Sequence, residues 1–506
     1  MADLPQIGPV ERRAVRIEVP AHWADHRFLG RAVLPGVEAM QLLAFWTRRF
    51  RPAVQLQSIG QAAFDKFLEL PPAGEAIEAY CDLTDLPHGV VQAALVTRRQ
   101  AKTAALTRTI THAQVVYKPS PPPVAAMPLD MSAALAGPCF SVAPDHLYES
   151  LVPFGPHYRN IAQPLQLARE GALTLIHAPD LADHQTDMPL GSPFVPDAAF
   201  HAACVWSQRF AGVVAFPVGI AERRVVDPTR PGETYVGRVF PVRTDGATLV
   251  FDIWVLGLDG KVRELLTGVR MRDVSGGRLR PPEWISAMRA PPAPGDVKGC
   301  VAMTLIERDN VMPFAEQCLS GRERQRLEKM GPKRRKGFLA ARLACKRLSR
   351  TLEGNDWTTP AHEIETLAAD GIRPSCPSGP GKAFHYCSVA HDRRFAVAVS
   401  AGHPIGVDVE TPDACLLKAL HFFTNGTEQA QVRFSALGEI DAAVRVWSVK
   451  EAVAKVLGIT LADAWQRTEV IRIGSEESRL RIDNGPPAQA FHKDIGNHVV
   501  TWVVLR

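Results

Sequence analysis

Leu34-Pro-Gly-Val-Glu-Ala-Met-Gln-Leu-Leu-Ala-Phe-Trp46 carries apolar residues at helical spacing behind a Pro-Gly start, with stretches of strand type around it. The arrangement recurs at Val195-Pro-Asp-Ala-Ala-Phe-His-Ala-Ala-Cys-Val-Trp206. Strand candidates are Glu78–Thr84, Val90–Val96 and Leu106–Tyr117 near the first helix, and Gly212–Ile220, Thr234–Val242 and Ala247–Leu258 near the second. This implies one helix wrapped by a curved antiparallel sheet, made twice, although the two halves share no obvious sequence identity.

Proline and glycine mark two breaks, Lys118 to about Gly137 and Ser275 to about Gly295. They cut the 506 residues near positions 130 and 290, as expected for domains of about 100–200 residues. With 46% hydrophobic and 22% charged residues, wholesale disorder is excluded. No apolar run approaches the roughly 18 residues that cross a bilayer, and Met1-Ala-Asp-Leu-Pro-Gln lacks a basic region followed by an apolar stretch. The nine cysteines are scattered and never form Cys-x-x-Cys, which argues against a disulfide framework and a zinc site. A soluble, unexported, cytoplasmic protein is the expectation.

The net charge of +5 is unevenly placed. Residues 298–506 hold 29 Lys and Arg against 24 Asp and Glu, whereas residues 1–297 carry 29 of each. Arg322 to Arg350 contains twelve basic residues and only two acids, Glu323 and Glu328, so an anionic partner is expected there. Taken alone, the run reads as a solvated helix face or a nucleic-acid patch.

His26-Arg-Phe-Leu-Gly30-Arg-Ala-Val-Leu-Pro35 reads His-x3-Gly-x4-Pro and places an imidazole on the loop into the first helix. In the second half, Asp197 falls in the first helical turn and His201 one turn later on the same face. Each residue alone is an ordinary N-cap or packed imidazole. A base and an acid at equivalent places in two similar halves point to one shared site.

These motifs resemble the dehydratase domains of polyketide and fatty acid synthases, which are double hotdog folds. The likeness covers about residues 10–275 and includes Phe154-Gly-Pro-His-Tyr158, similar to the family's Tyr-Gly-Pro-x-Phe, and Phe216-Pro-Val218, similar to its Leu-Pro-Phe. Phe154 stands where the family has tyrosine, so that hydroxyl is absent. The resemblance implies that His26 takes the Cα proton of a 3-hydroxyacyl thioester and that Asp197, in an apolar cleft, gives a proton to the departing hydroxyl. It also implies that a backbone N–H near Gly30, at the start of the helix, steadies the thioester oxygen. His201 would orient Asp197 or the hydroxyl.

Residues 298–506 carry a different set. Ile405-Gly-Val-Asp408-Val-Glu410 alternates as a strand, so two carboxylates share one face, and Glu451 follows in Trp447-Ser-Val-Lys450-Glu451-Ala-Val-Ala-Lys455. Three oxygen donors with phosphate and water would suit Mg²⁺, whereas two carboxylates alone would read as a solvated edge strand. Gly-Val-Asp-x-Glu with Trp-Ser-x-Lys-Glu-Ala-x-x-Lys resembles the signature of 4′-phosphopantetheinyl transferases of the surfactin-synthetase type. The likeness extends to Lys333-Arg-Arg-Lys-Gly-Phe-Leu-Ala-Ala-Arg342, Ile372-Arg-Pro374, Phe422-Phe-Thr-Asn-Gly-Thr-Glu428 and His391, where Ala390 replaces a family serine.

What the resemblance implies is a pseudo-twofold α+β domain that moves the arm of coenzyme A to a carrier-protein serine. Mg²⁺ would sit on Asp408, Glu410 and Glu451, and Lys333, Arg334, Arg335, Lys336, Arg373, His391 and Lys455 would meet the coenzyme A phosphates. Glu451 would accept the serine proton, with Lys450 orienting it.

The whole chain is thus expected to be α+β, a double hotdog dehydratase (residues 1–275, halves about 1–118 and 138–275), a linker (276–297) and a transferase (298–506). No Asp-Ser attachment dipeptide is present, so the acyl carrier protein acts in trans. The order resembles the C-terminal end of enediyne and polyunsaturated fatty acid synthases, which implies ketosynthase and acyltransferase partners, no nucleic acid and no membrane. An alternative makes the hotdog part a non-catalytic docking or homodimerisation module.

Overall fold

The computed structural model describes residues 8–100, 107–119, 127–181, 188–286, 298–371, 373–376 and 384–505. Parts of both expected linkers, together with Leu106 and Ile372, lie outside the described residues. The described residues form two compact units. One comprises positions 8–119 and 140–286, the other 127–139 and 298–505.

The first unit is built on a twelve-stranded antiparallel sheet. From one edge its N-terminal half runs Glu11–Glu18, Ala76–Leu86, Val90–Gln100, Thr107–Tyr117 and Ser58–Ala63. Numbered along the chain, that is the order 1-3-4-5-2. Gly171–His177, Thr234–Asp245, Thr248–Gly257, Val262–Arg272 and Phe216–Val225 repeat the same order in the other half. In each half a long helix, Gly36–Phe50 or Phe194–Phe210, lies in the chain between the first and second strands. The halves join where Phe216–Val225 pairs with Ser58–Ala63. Identical topology with unrelated sequences establishes the doubled hotdog plan expected from the two helix signals.

Both helices are buried because their apolar faces have curved sheet around them. Val37, Met40, Leu43 and Ala44 of the first are at most 1% exposed, and Phe194, Val195, Ala198, Ala199 and Val205 of the second belong to the same core. The edge strand Glu11–Glu18 escaped the alternation search because only Val15 and Ile17 face inward. Apart from Ala14, its other positions carry charge, as edge strands do to discourage pairing with another chain. The unit also runs past 275 into the expected linker, with Ile285 buried in its core and its carbonyl accepting from Arg209.

The second unit has two sheet-and-helix halves. A three-stranded sheet (Ala302–Glu307, Phe395–Ala401, Tyr386–His391) accompanies the helix Pro332–Leu352, and a five-stranded sheet (Ile405–Glu410, His498–Val504, Ala488–Ile495, Glu477–Ile482, Thr468–Arg472) accompanies the helix Glu439–Leu457. This is the pseudo-twofold α+β arrangement expected.

Residues 127–139, read from sequence as linker, belong to this unit. Met312 N–H donates to the Ala133 carbonyl at 2.7 Å and Gly137 N–H to that of Leu305 at 2.8 Å. Asp130 receives a two-pronged bond from Arg350, both contacts 2.7 Å, in a fully buried setting.

That bond also corrects the reading of the basic run. Arg342, Lys346 and Arg350 recur every four residues on one helix face, and that face points inward. Arg342 donates to Thr366 and Lys346 to the Ile364 carbonyl, while Lys346 pairs with Glu323 at 2.7 Å. These cations satisfy internal acceptors; only the earlier part of the run remains exposed. Among the described residues, no helix is long and apolar enough to cross a membrane.

Candidate functional site

His26 follows a short 3-10 turn, Ala21–Asp25, and enters a small hairpin of Arg27–Phe28 with Arg31–Ala32. Its Nδ1 lies 3.1 Å from the Val33 carbonyl, and Val33 N–H donates back to the His26 carbonyl at 3.0 Å. A carbonyl only accepts, so Nδ1 carries the proton and Nε2 keeps its lone pair. Phe154 stacks on the imidazole at 4.4 Å, and burial pulls the His26 pKa below the ordinary imidazole value, against the opposing pull of Asp197.

Asp197 and His201 occupy successive turns of the Phe194–Phe210 helix and are buried. Their Oδ2 and Nε2 atoms are 3.0 Å apart, yet both are without an aligned hydrogen bond among the described residues. On its other side His201 Nδ1 lies 3.5 Å from the Tyr148 hydroxyl, which accepts from the Ile161 N–H at 3.0 Å.

His26, Asp197 and His201 line one cavity of about 630 Å³, with Phe154, Phe200 and Cys204 among its walls. Sequence reasoning missed Phe200 and Cys204, although three and seven residues after Asp197 they share its helix face. Tyr148 had no signal, since it comes from a separate turn. A third histidine, His112, also lines the cavity, but Thr97 Oγ1 and the Lys66 carbonyl occupy its two ring nitrogens at 2.8 and 3.1 Å. No lone pair is left there for chemistry.

Gly30 is not where the sequence reading put it. It does not start the helix or line the cavity; it is exposed in the hairpin turn with Leu29, at φ values of 81° and 48°. Two successive positive φ values define a two-residue type I′ hairpin, which glycine accommodates. The helix begins six residues later at Gly36, which does line the cavity.

In the second unit, Asp408 and Glu410 share a face of Ile405–Glu410, and Glu451 reaches them from the Glu439–Leu457 helix. One carboxylate oxygen from each lies within 4.8 Å of the others. The close approach depends on Gly406, where a Cβ would collide with the Ala452 carbonyl. Burial and the neighbouring carboxylates raise Glu410 to about 8 and Glu451 to about 7. Lys455 sits among them, 3.1 Å from Asp408 and 3.7 Å from Glu451. Asp408 Oδ2 is buried with no hydrogen-bond partner among the described residues.

Lys450 is a correction. Adjacent helix residues point about 100° apart, so Lys450 turns away from the carboxylate cluster. It is buried, donating to the Phe423 carbonyl at 2.6 Å and to Glu428 at 2.9 Å. Glu428 also accepts the Val470 N–H and caps its own helix with Asn425. The Phe-Phe-x4-Glu stretch and Lys450 are therefore two ends of one structural contact.

Of the expected phosphate ligands, Lys333 to Lys336 are exposed in the first turns of Pro332–Leu352, and His391 ends Tyr386–His391. Arg335 donates to the Met330 carbonyl at 3.2 Å and Lys336 pairs with Asp309 at 3.2 Å. Arg373 is diverted to Asp370 at 2.7 Å on an exposed turn. Lys455 is engaged with the carboxylates, as described.

Residues 128–281 match the family model for the polyketide synthase dehydratase N-terminal domain, and residues 404–503 that for the 4′-phosphopantetheinyl transferase superfamily. The chain thus carries a part of the polyketide synthase dehydratase class. It joins this to a part of the phosphopantetheinyl transferase class.

Similar solved structures include a trans-AT polyketide synthase dehydratase domain from Brevibacillus brevis, with 14% identity over 53% of this chain and 94% of that one, TM-score 0.43. The dehydratase domain from the CurH module of curacin polyketide synthase shows 20% identity over 55% and 93%, TM-score 0.42. A bifunctional dehydratase-cyclase domain in ambruticin biosynthesis shows 20% over 52% and 91%, TM-score 0.42. No curated protein matches the chain.

Proposed function

We propose that the first unit removes water from 3-hydroxyacyl thioesters on a carrier protein, and that the second transfers 4′-phosphopantetheine from coenzyme A to a carrier serine. For the first, the supporting observation is that His26 and Asp197, from opposite halves, line one largely apolar cavity. His26 Nε2 takes the proton from Cα, the C–O bond at C3 breaks, and Asp197 supplies the proton with which the hydroxyl leaves as water. The Val33 contact holds the tautomer, and Tyr148 and His201 hold Asp197 in place.

The three-carboxylate cluster supports the second reading. Its donors suit a hard divalent cation: all are oxygens, one is an unused buried atom, and both glutamates are raised by burial and then by carboxylate repulsion, which a cation would relieve. Bound by Asp408, Glu410 and Glu451, Mg²⁺ would supply charge neutralisation for a pyrophosphate. Lys333, Arg334 and His391 take the remaining phosphate charge, and Glu451 accepts the proton of the incoming serine as its oxygen bonds to the β-phosphorus, the pyrophosphate P–O bond breaks and adenosine 3′,5′-bisphosphate leaves.

Intact-mass spectrometry of an apo acyl carrier protein incubated with the protein, coenzyme A and Mg²⁺ should show the added arm. Asp408→Ala, which deletes a metal ligand, should slow that gain by about 100-fold or more. A wild-type protein that leaves several synthase carriers at their apo mass would overturn the reading.

A further inference from the structure

The helix Pro332–Leu352 contains a glycine in its second turn, at position 337. Glycine is a poor helix former because it loses the most backbone freedom on folding, so a packed helix interior normally prefers alanine. The surroundings give a reason for its presence. A Cβ built on Gly337 would stand 2.9 Å from Cε1 of His391 and 3.1 Å from each of its ring nitrogens. All three nearest atoms belong to that one imidazole, which therefore rests directly on the helix backbone.

Helical spacing places Lys333 and Arg334, four and three residues earlier, on the same face as Gly337. Neither has an ion pair among the described residues, whereas Arg335 and Lys336 on other faces are engaged by Met330 and Asp309. The missing side chain thus lets an imidazole from a distant strand settle beside two available cations.

We infer that Gly337 is a positioning residue for anion binding: by presenting no side chain, it sets the depth of the His391 ring beside Lys333 and Arg334, where the ring meets a phosphate of coenzyme A. This rests on reading the second unit as a transferase that uses coenzyme A. A methyl group at 337 meets only the far end of a rotatable side chain. It therefore swings the imidazole out of place without breaking the helix, which gains a better helix former.

The test compares the full-length wild type, Gly337→Ala, His391→Ala and the double variant, measuring carrier modification against coenzyme A concentration together with thermal unfolding. Gly337→Ala should raise the KM for coenzyme A about tenfold, the cost of one misplaced phosphate hydrogen bond. Its kcat should be nearly unchanged and its unfolding temperature should not fall. The double variant should be no worse than His391→Ala, because the glycine acts only through that ring.

An unchanged KM in Gly337→Ala, or a penalty that adds in full to that of His391→Ala, overturns the inference. So does a lowered unfolding temperature with kcat and KM impaired together, which is the mark of a merely structural glycine. Calorimetric binding of adenosine 3′,5′-bisphosphate by the same four proteins gives the same comparison without any carrier. If the wild type binds that nucleotide and the variants follow the expected order, the positioning role stands even where no carrier gains mass, and only the transferase reading fails.

Discussion

His26→Ala is expected to stop the loss of water from a 3-hydroxyacyl carrier-protein substrate while the carrier protein still gains its arm. The first half of this result follows from the tautomer. Val33 holds the proton on Nδ1, leaving Nε2 the one histidine lone pair on the described cavity wall that is in neither a hydrogen bond nor a carboxylate contact. General-base assistance is worth about 10²–10⁴-fold, and alanine forfeits it.

Direction of the pH dependence follows from the lowered His26 pKa. Because burial depresses it, the base stays neutral and competent below the ordinary imidazole value, so the acid limb of kcat/KM should fall below about 6.5. An acid limb above that value contradicts His26 as the base. The second half follows from chemistry, since the carboxylate cluster of the transferase uses no residue of the first unit. With Phe154 in place of a tyrosine, the assay needs long times and high enzyme concentrations. A substrate that then survives the wild-type protein makes the docking-module alternative the better account.

Asp130→Ala removes the carboxylate that receives both prongs of Arg350 and leaves a guanidinium that is 2% exposed without its partner. Breaking a buried pair from one side costs about 3–5 kcal/mol, because the remaining charge is already out of water. Arg347, whose pKa burial pulls down to about 10, lies alongside and donates to the Asp130 carbonyl, so no second carboxylate in that contact takes over.

Calorimetry should show the unfolding transition of the transferase unit moved to lower temperature. Carrier modification should fail at temperatures where the wild type works, while dehydration continues. An unchanged transition would mean that residues 127–139 contribute little to that unit. Replacing Asp130 and Arg350 together by apolar residues should cost less than Asp130→Ala, since no charge is then stranded.

The comparison of basic residues shows why sequence reached some of the molecule and not the rest. Arg322 to Arg350 is uniform in charge, yet the structure spends Arg342, Lys346 and Arg350 on Thr366, Glu323, Ile364 and Asp130. Spacing of four shows that these three share a face. It does not say which face is covered, because the acceptors come from segments as far as 220 residues away. Lys450 failed for a related reason: being adjacent to Glu451 in the chain means pointing elsewhere on a helix.

By itself, the sequence determined the doubled helix-in-sheet plan, the pairing of His26 with Asp197, and the Asp408, Glu410 and Glu451 set. The first rests on periodicity, whereas joining His26 to Asp197, and Glu451 to Asp408 and Glu410, rests on equivalent places in two similar halves and on motifs that resemble those of known families. Only the tertiary structure decided that Gly30 turns a hairpin while Gly36 reaches the cavity, that His112 has no free nitrogen, and that Tyr148 stands behind His201. It also decided that residues 127–139 belong with the transferase. The reason is common to all four. Each depends on which distant donor, acceptor or apolar surface a side chain meets once water is excluded, and that is settled by packing rather than by neighbours in the chain.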